Sequence, residues 1–356
     1  MLGDERELRA RISRAWLGRI SGCQLGKPVE VLSMREGHGA LTEYLTQVDA
    51  LPVRDYIPYR ERKYVLEQCC RGRIARSEPD DDINYSLLAL MLLEEHGLAL
   101  TTADVARAWL KYLPVGATYT AERAAYRILL ERGSEGFADG RPPGFDLAQC
   151  SDNRYNDWIG AQIRADVYGW VCPGRPALAA DLARRDAELS HRSAGVHGAM
   201  IVAALGAALA EMGIEGAVDA ALAQVPADSL AAEAVRLGRS LAGRADGGAR
   251  IRERYAELSP VHTLNNLALV IWSLCSHARD FGAAIGDVVA AGLDTDCNGA
   301  TVGALWGLQG ADIPAQWTQP WRGRVAFGLA GVAEIEVGEL IDRTVAVAKR
   351  IDKAGT

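Results

Sequence analysis

The sequence predicts an all-α fold in a single compact helical domain spanning residues 1–356. Three observations predict it. Apolar residues recur at helical spacing in ten segments along the chain. Strand-like alternation is scarce. Ala, Leu, Arg and Glu are abundant, while aromatics make up only 6% of residues, a composition that favours helices over sheets.

The segments run in order. Residues 5–20 (ERELRARISRAWLGRI) open the first helix, and SGCQLGKPVE at 21–30 breaks it, with Gly22, Gly26 and Pro28 marking a turn. The stretch 34–60, with Pro52 and Pro58, reads as irregular. Residues 82–96 form a strongly apolar helix stopped at Gly97. Thr101 and Asp104 read as the capped start of a helix over 102–113, and 118–133 gives another. Residues 134–157 are rich in Gly, Pro, Asp and Asn and predict a long surface loop beside a site rather than a domain linker. Helical spacing resumes at 176–190, 195–212, 227–243, 264–278, 280–292 and 335–352. Ala- and Gly-rich stretches over 195–224 predict close helix–helix packing. No repeat of fixed period is present.

Composition bounds the function. The net charge of −7 argues against non-specific nucleic-acid binding, which draws on Lys and Arg against phosphate. Seven cysteines without regular spacing, Cys69 and Cys70 adjacent, predict free thiols in a reducing cytoplasm. The charged N-terminus does not read as a signal peptide, and no uncharged apolar run long enough for a membrane span occurs. There is no G-x-S-x-G elbow, no P-loop and no G-x-G-x-x-G.

Two constellations carry chemistry. Asp80, Asp81 and Asp82 stand together where an apolar helix begins. One or two acids there are explained by capping and the helix dipole. Three repel one another and need a counter-charge, which a hard cation with oxygen ligands would supply. Asp294 and Asp296 repeat the arrangement at the mouth of a second Ala/Gly-rich helix over 290–311, where Gly299 and Gly303 allow close backbone approach. If the two mouths meet, their carboxylates are tolerable together only with cations. Glu30 alone reads as an ordinary exposed acid. Arg164, after Gly160 and Ala161, is either a surface charge or an internal ion-pair partner. Trp158 and other aromatics nearby are core or stacking residues. His191 reads as a structural histidine more readily than as a ligand, and with His197 six residues away the pair does not make a zinc site.

In this order, the segments resemble the ADP-ribosylglycohydrolase family. The family's G-x-x-x-G-D-x-L-G-x-P-x-E is similar to Gly18–Glu30 here, with Cys23 in place of Asp. Its T-D-D-T looks like Asp80-Asp81-Asp82-Ile83, its G-A-x-M-R like Gly160–Arg164, and its D-T-D-[TS]-N like Asp294–Asn298. The resemblance implies an all-α domain with two Mg²⁺, or Mn²⁺, in a cleft, hydrolysing the bond between the anomeric carbon of ADP-ribose and an acceptor nitrogen or oxygen. It implies Asp81, Asp82, Asp294 and Asp296 as metal ligands and Glu30 beside the metals, gating them or acting on water; on that chemistry Glu30 or Asp80 is the candidate base or orienter. It further implies Gly160, Ala161, Arg164, Trp158 and His191 as residues around the substrate. The departures are Asp80 and Ile83 for threonine and Cys297 for a hydroxyl residue. Cys297 either faces the metals, where a thiol is a poor ligand for a hard ion, or packs into the core. The substrate is then an ADP-ribosylated protein or a small nucleoside or ribosylated metabolite. A third reading, a metal-stabilised helical binding protein without turnover, is opposed by the presence of Glu30.

Overall fold

The computed structural model describes residues 4–354. The helices are α1 (Glu5–Gly26), α2 (Glu30–Gln47), α3 (Asp81–His96), α4 (Thr102–Tyr112), α5 (Thr120–Arg132), α6 (Asp166–Trp170), α7 (Pro176–Ala187) and α8 (Ser193–Ala208). They continue as α9 (Ile214–Leu222), α10 (Leu230–Ser240), α11 (Gly247–Arg254), α12 (Thr263–Ser276), α13 (Phe281–Ala290), α14 (Thr295–Gly307), α15 (Ala315–Thr318) and α16 (Val337–Ala354). One antiparallel hairpin, β1 (Arg324–Leu329) and β2 (Val332–Glu336), precedes the last helix. A continuous apolar core runs from Leu8 in α1 to Ile351 in α16. The fold is all-α, as the periodicity predicts.

The central contact is between α1 and α14, and glycines make it. A Cβ on Gly18 would lie 2.1 Å from the carbonyl oxygen of Gly303, and one on Gly22 1.9 Å from that of Gly299. Gly26 likewise abuts the backbone of Thr295. The pairings 18/303, 22/299 and 26/295 step in opposite directions by one helical turn, so the helices are antiparallel with their backbones in contact. The end of α1 therefore meets the start of α14.

Local chemistry fixes the boundaries. Asp4 caps α1 by accepting from the amide of Arg6 at 3.0 Å. Thr101 and Asp104 form the expected reciprocal cap of α4. The predicted loop over 134–157 is irregular apart from a 3₁₀ turn at Leu147–Ser151.

The elements that differ from expectation include α2, α11 and the hairpin. The supposedly irregular stretch from residue 34 begins inside α2, which kinks at Gly37, where φ is +81°. Glycines and polar residues on its outer side hide the period. Helix α11 starts on two glycines and is half charged, so it carries too little apolar signal to be read. The hairpin was missed because the strands are short. It is nonetheless well placed: the Ser77 amide donates to Arg324 O at 2.8 Å, and the Ala326 amide to Ser77 O at 3.0 Å. This fastens the segment that leads into Asp80.

Candidate metal centre

Three chain segments converge at the meeting of α1 and α14: Cys23 to Glu30, Asp80 to Asp82, and Asp294 to Cys297. Ligand atoms within 4.8 Å of one another form three overlapping sets: Cys23, Asp80 and Asp82; Asp82, Asp296 and Cys297; and Glu30, Asp294 and Asp296. The two acidic helix mouths predicted from the sequence thus meet in space, and Glu30 joins them rather than standing as an isolated surface acid.

Each segment is held by its own hydrogen bonds. Gln24 accepts from the amide of Glu78 at 3.2 Å, tying α1 to the segment before Asp80. Asp80 caps α3: one oxygen accepts from the Asp82 amide at 2.9 Å, and the other pairs with the Lys27 ammonium. Leu293, with φ of +62°, turns the chain into Asp294. A non-glycine residue rarely adopts this conformation, and its neighbours over-determine it. Ser33 donates to the Leu293 carbonyl at 2.8 Å, and Asn266 Oδ1 accepts from the Asp294 amide at 3.3 Å and from Asn298 Nδ2 at 2.7 Å. Thr295 donates to Gly26 O at 2.9 Å. The strained turn aims the two aspartates at α1.

Arg19 is the hub beneath the site. Fully buried, it donates to Ser86 Oγ at 2.7 Å, to Asp82 O at 2.9 Å and to Asp82 Oδ1 at 3.3 Å. It also pairs with Asp166 Oδ2 at 2.8 Å and bonds the Ile163 carbonyl. The 3₁₀ segment Ile159–Arg164 is thereby locked under the acidic mouth. Neither Arg19 nor Lys27 stood out in the sequence. Each is a single basic residue whose partners lie more than fifty positions away.

The electrostatics are those of crowded anions. Burial, reinforced by Asp294 and Asp80, pushes Glu30 up to about 8. Burial pushes Asp294 up to about 6. Asp296, Asp81 and Asp82 are raised well above the carboxylate range by burial and by one another. Asp80 is the exception: burial disfavours its charge, but the Lys27 ammonium and the Asp82 amide outweigh it and leave Asp80 below its ordinary value. The thiols of Cys23 and Cys297 are raised by burial and the surrounding carboxylates and stay neutral. The Cys297 sulfur lies within 4.8 Å of carboxylate oxygens of Asp82 and Asp296, while the residue also packs against the apolar core.

The donors fit a hard divalent cation. Asp82 Oδ2, Asp294 Oδ1 and Asp296 Oδ1 are buried and have no hydrogen-bond partner. Buried carboxylate oxygens left so are costly, and oxygen-binding cations are the partners that would satisfy them. Asp81 belongs to none of the three close sets. It is partly exposed, and its charge is the largest influence raising the phenol of Tyr119. Tyr119, 59% exposed, therefore stands beside the open side of the cluster.

The residues expected around the substrate divide. Arg164 is 2% exposed, and its guanidinium is filled internally by Asp186 Oδ1 at 2.5 Å, Glu122 Oε1 at 3.0 Å, Gly160 O at 2.9 Å, Asp186 O at 3.3 Å and Ser190 Oγ at 2.9 Å. No donor is left for a diphosphate, so Arg164 is the internal ion-pair partner that the sequence left open. His191 is fully buried, bonded through Nδ1 to Ser190 Oγ at 2.7 Å, and burial beside Arg164 keeps it neutral. It is structural. Gly160 admits the Glu122 carboxylate, which would stand 2.0 Å from a Cβ there, and Ala161 is buried. Trp158 keeps partial exposure, edge-to-face with Tyr155 at 4.7 Å between ring centres. Sequence reasoning missed Tyr119, a lone aromatic with no pattern around it.

Among the described residues no helix is long and apolar enough to cross a membrane. None of the curated proteins matches the chain. Among solved structures the fold is similar to an "ADP-ribosylglycohydrolase-related protein complex", with a TM-score of 0.59 and 20% identity over 97% of this chain and 99% of that one. At that identity the likeness speaks for the fold alone. The family model for ADP-ribosylglycohydrolase matches residues 4–352, from the capping Asp4 to the end of α16 and through every segment of the acidic cluster. The chain therefore belongs to the ADP-ribosylglycohydrolase family.

Proposed function

We propose that the chain is a divalent-metal-dependent hydrolase that cleaves the glycosidic bond at the anomeric carbon of an ADP-ribosyl or related ribosyl group. The observation that carries this reading is the set of unpartnered buried oxygens of Asp82, Asp294 and Asp296, with Glu30 alongside. These four residues would hold Mg²⁺ or Mn²⁺, with Asp81 at the open side. A cation there supplies Lewis-acid polarisation where charge develops in an oxocarbenium-like transition state.

The chain's own residues do the rest. Glu30 is partly exposed and stands with Asp294 and Asp296; a cation beside it would favour its ionised form, which could then orient water or take a proton from it. Asp80 is held ionised by Lys27 and committed to the cap of α3, so it orients the helix mouth rather than moving protons. Tyr119 offers an exposed aromatic face at the rim on which a base can stack. The deep sites of Arg164 and His191 direct attention away from a guanidinium clamp and towards backbone amides for any diphosphate.

The test is hydrolysis of an ADP-ribosyl-arginine protein against a panel of free nucleosides and ribosylated metabolites, with and without EDTA. Release of ADP-ribose only from the protein, lost in EDTA and restored by Mg²⁺ or Mn²⁺, supports protein substrates. Cleavage of the small molecules alone moves the substrate to a metabolite. Turnover that persists in metal-stripped protein ends the metal-dependent reading, and no turnover of any substrate favours a binding protein.

A further inference from the structure

The acidic cluster already contains a cation. Lys27 lies where α1 gives way to its 3₁₀ extension, and its side chain is only 12% exposed. Its ammonium pairs with Asp80 Oδ2 and lies near enough to Asp296 to feel its charge. An ammonium is withdrawn from water only where fixed anions replace its hydration.

The two sides of the cluster differ in what they offer an ion. On one side are Cys23, Asp80 and Asp82. The first is a neutral thiol, the second is held by Lys27, and one oxygen of the third is held by Arg19. On the other side are Glu30, Asp294 and Asp296, an all-oxygen set that includes two unpartnered buried atoms. Asp80 stands where the family pattern has threonine, so the additional carboxylate and the ammonium opposite it form a matched pair.

From this asymmetry we propose that Lys27 is a resident cation that takes the place of one of the two divalent ions, leaving a single-ion site at Glu30, Asp294 and Asp296 with Asp82 Oδ2 at its flank. The inference rests on the metal-dependent reading above and changes its ion count. A fixed ammonium cannot exchange or be chelated, so of the three positive charges supplied by Lys27 and one divalent ion, one would be permanent. It also gives the Asp80 cap of α3 its counter-charge in the metal-free chain.

The experiment is a Mn²⁺ titration of the full-length, metal-stripped chain by calorimetry, with electron paramagnetic resonance on the loaded protein. Wild type is expected to bind one ion per chain with the signal of an isolated Mn²⁺. The double variant Lys27→Ala/Asp80→Thr, which restores the family's hydroxyl, is expected to bind two ions with an exchange-coupled signal. Lys27→Met is the second arm should the double variant fail to fold by circular dichroism. It should also melt below wild type when metal-free, because Asp80 loses its partner. Two coupled ions in wild type, or one ion in every folded variant, overturn the proposal while leaving metal dependence intact. No binding by wild type overturns the metal-dependent reading, and the proposal with it.

Discussion

Asp296, like Asp82, lies in two of the three close donor sets and has an unpartnered oxygen, and it alone of the two belongs to the all-oxygen set with Glu30 and Asp294, so the site should depend on its charge. Asp296→Asn is expected to lower kcat/KM at least about a hundredfold, or ~2.7 kcal/mol of transition-state stabilisation. The metal-free protein should keep or slightly raise its melting temperature, because repulsion with Glu30 and Asp80 is relieved, and its stabilisation by added Mg²⁺ should shrink. Wild-type turnover in this variant would remove Asp296 from the centre. The raised carboxyls make a pH prediction for the metal-free chain. Glu30 keeps its proton up to about 8 when folded, against 4.5 for its ordinary value, so between those pH values the folded state binds more protons than the unfolded one. Stability from this group is present at low pH and lost as pH rises through 8. Asp294, raised to about 6, acts in the same direction. Metal-stripped protein should melt at a higher temperature near pH 5.5 than at pH 8, and saturating Mn²⁺ should reverse the order. Cys297 faces Asp82 and Asp296, so Zn²⁺ or Cd²⁺ should inhibit wild type, and Cys297→Ser should relieve that inhibition and favour Mg²⁺. An unchanged metal profile would take Cys297 out of the site. At this scale the acids were legible because they repeat a pattern at two helix mouths. Lys27 and Arg19 were not, because a single basic residue acquires meaning only when the topology shows which anion it faces.

At the scale of elements, the glycine seam between α1 and α14 determines whether the donor sets exist at all. Gly22→Ala would put a methyl group 1.9 Å from the Gly299 carbonyl oxygen, which no side-chain adjustment can relieve. The helices must part, at a cost of roughly 2–3 kcal/mol or more, and the melting temperature and metal affinity should fall together. Gly39 in α2 is the control: a Cβ there meets nothing within 4 Å, so Gly39→Ala should be neutral or stabilise by up to about 1 kcal/mol. If both variants melt alike, close packing of the seam is not what holds the mouths together. The long apolar helices α3, α8, α12 and α13 were readable from period alone, and Gly299 and Gly303 from their composition. Helices α2 and α11 were not, since Gly37 and Gly39 in the one and a half-charged sequence in the other erase the apolar stripe. Their positions depend on tertiary contacts such as the Ser33 bond to Leu293.

Across the whole molecule, the candidate site joins residues from both ends of the chain, and the C-terminal hairpin supports it without touching an ion. Ser77 is bonded on both sides by β1, three residues before Asp80. A chain ending after residue 320 would lose β1, β2 and α16, and with α16 the Trp16–Thr344 hydrogen bond of 2.9 Å. Such a truncation should bind Mn²⁺ at least about tenfold more weakly than the full chain even if it retains helical content. Equal affinity would show the hairpin to be dispensable to the acidic mouth. The dependence has a consequence for the order in which the protein is made. During synthesis Lys27 and Asp80 leave the ribosome early and can neutralise each other while the chain grows. Asp294, Asp296 and the strand that fastens Ser77 emerge only near the end, so a nascent chain lacks the complete donor set, and a metal bound as proposed would load after translation rather than guide it.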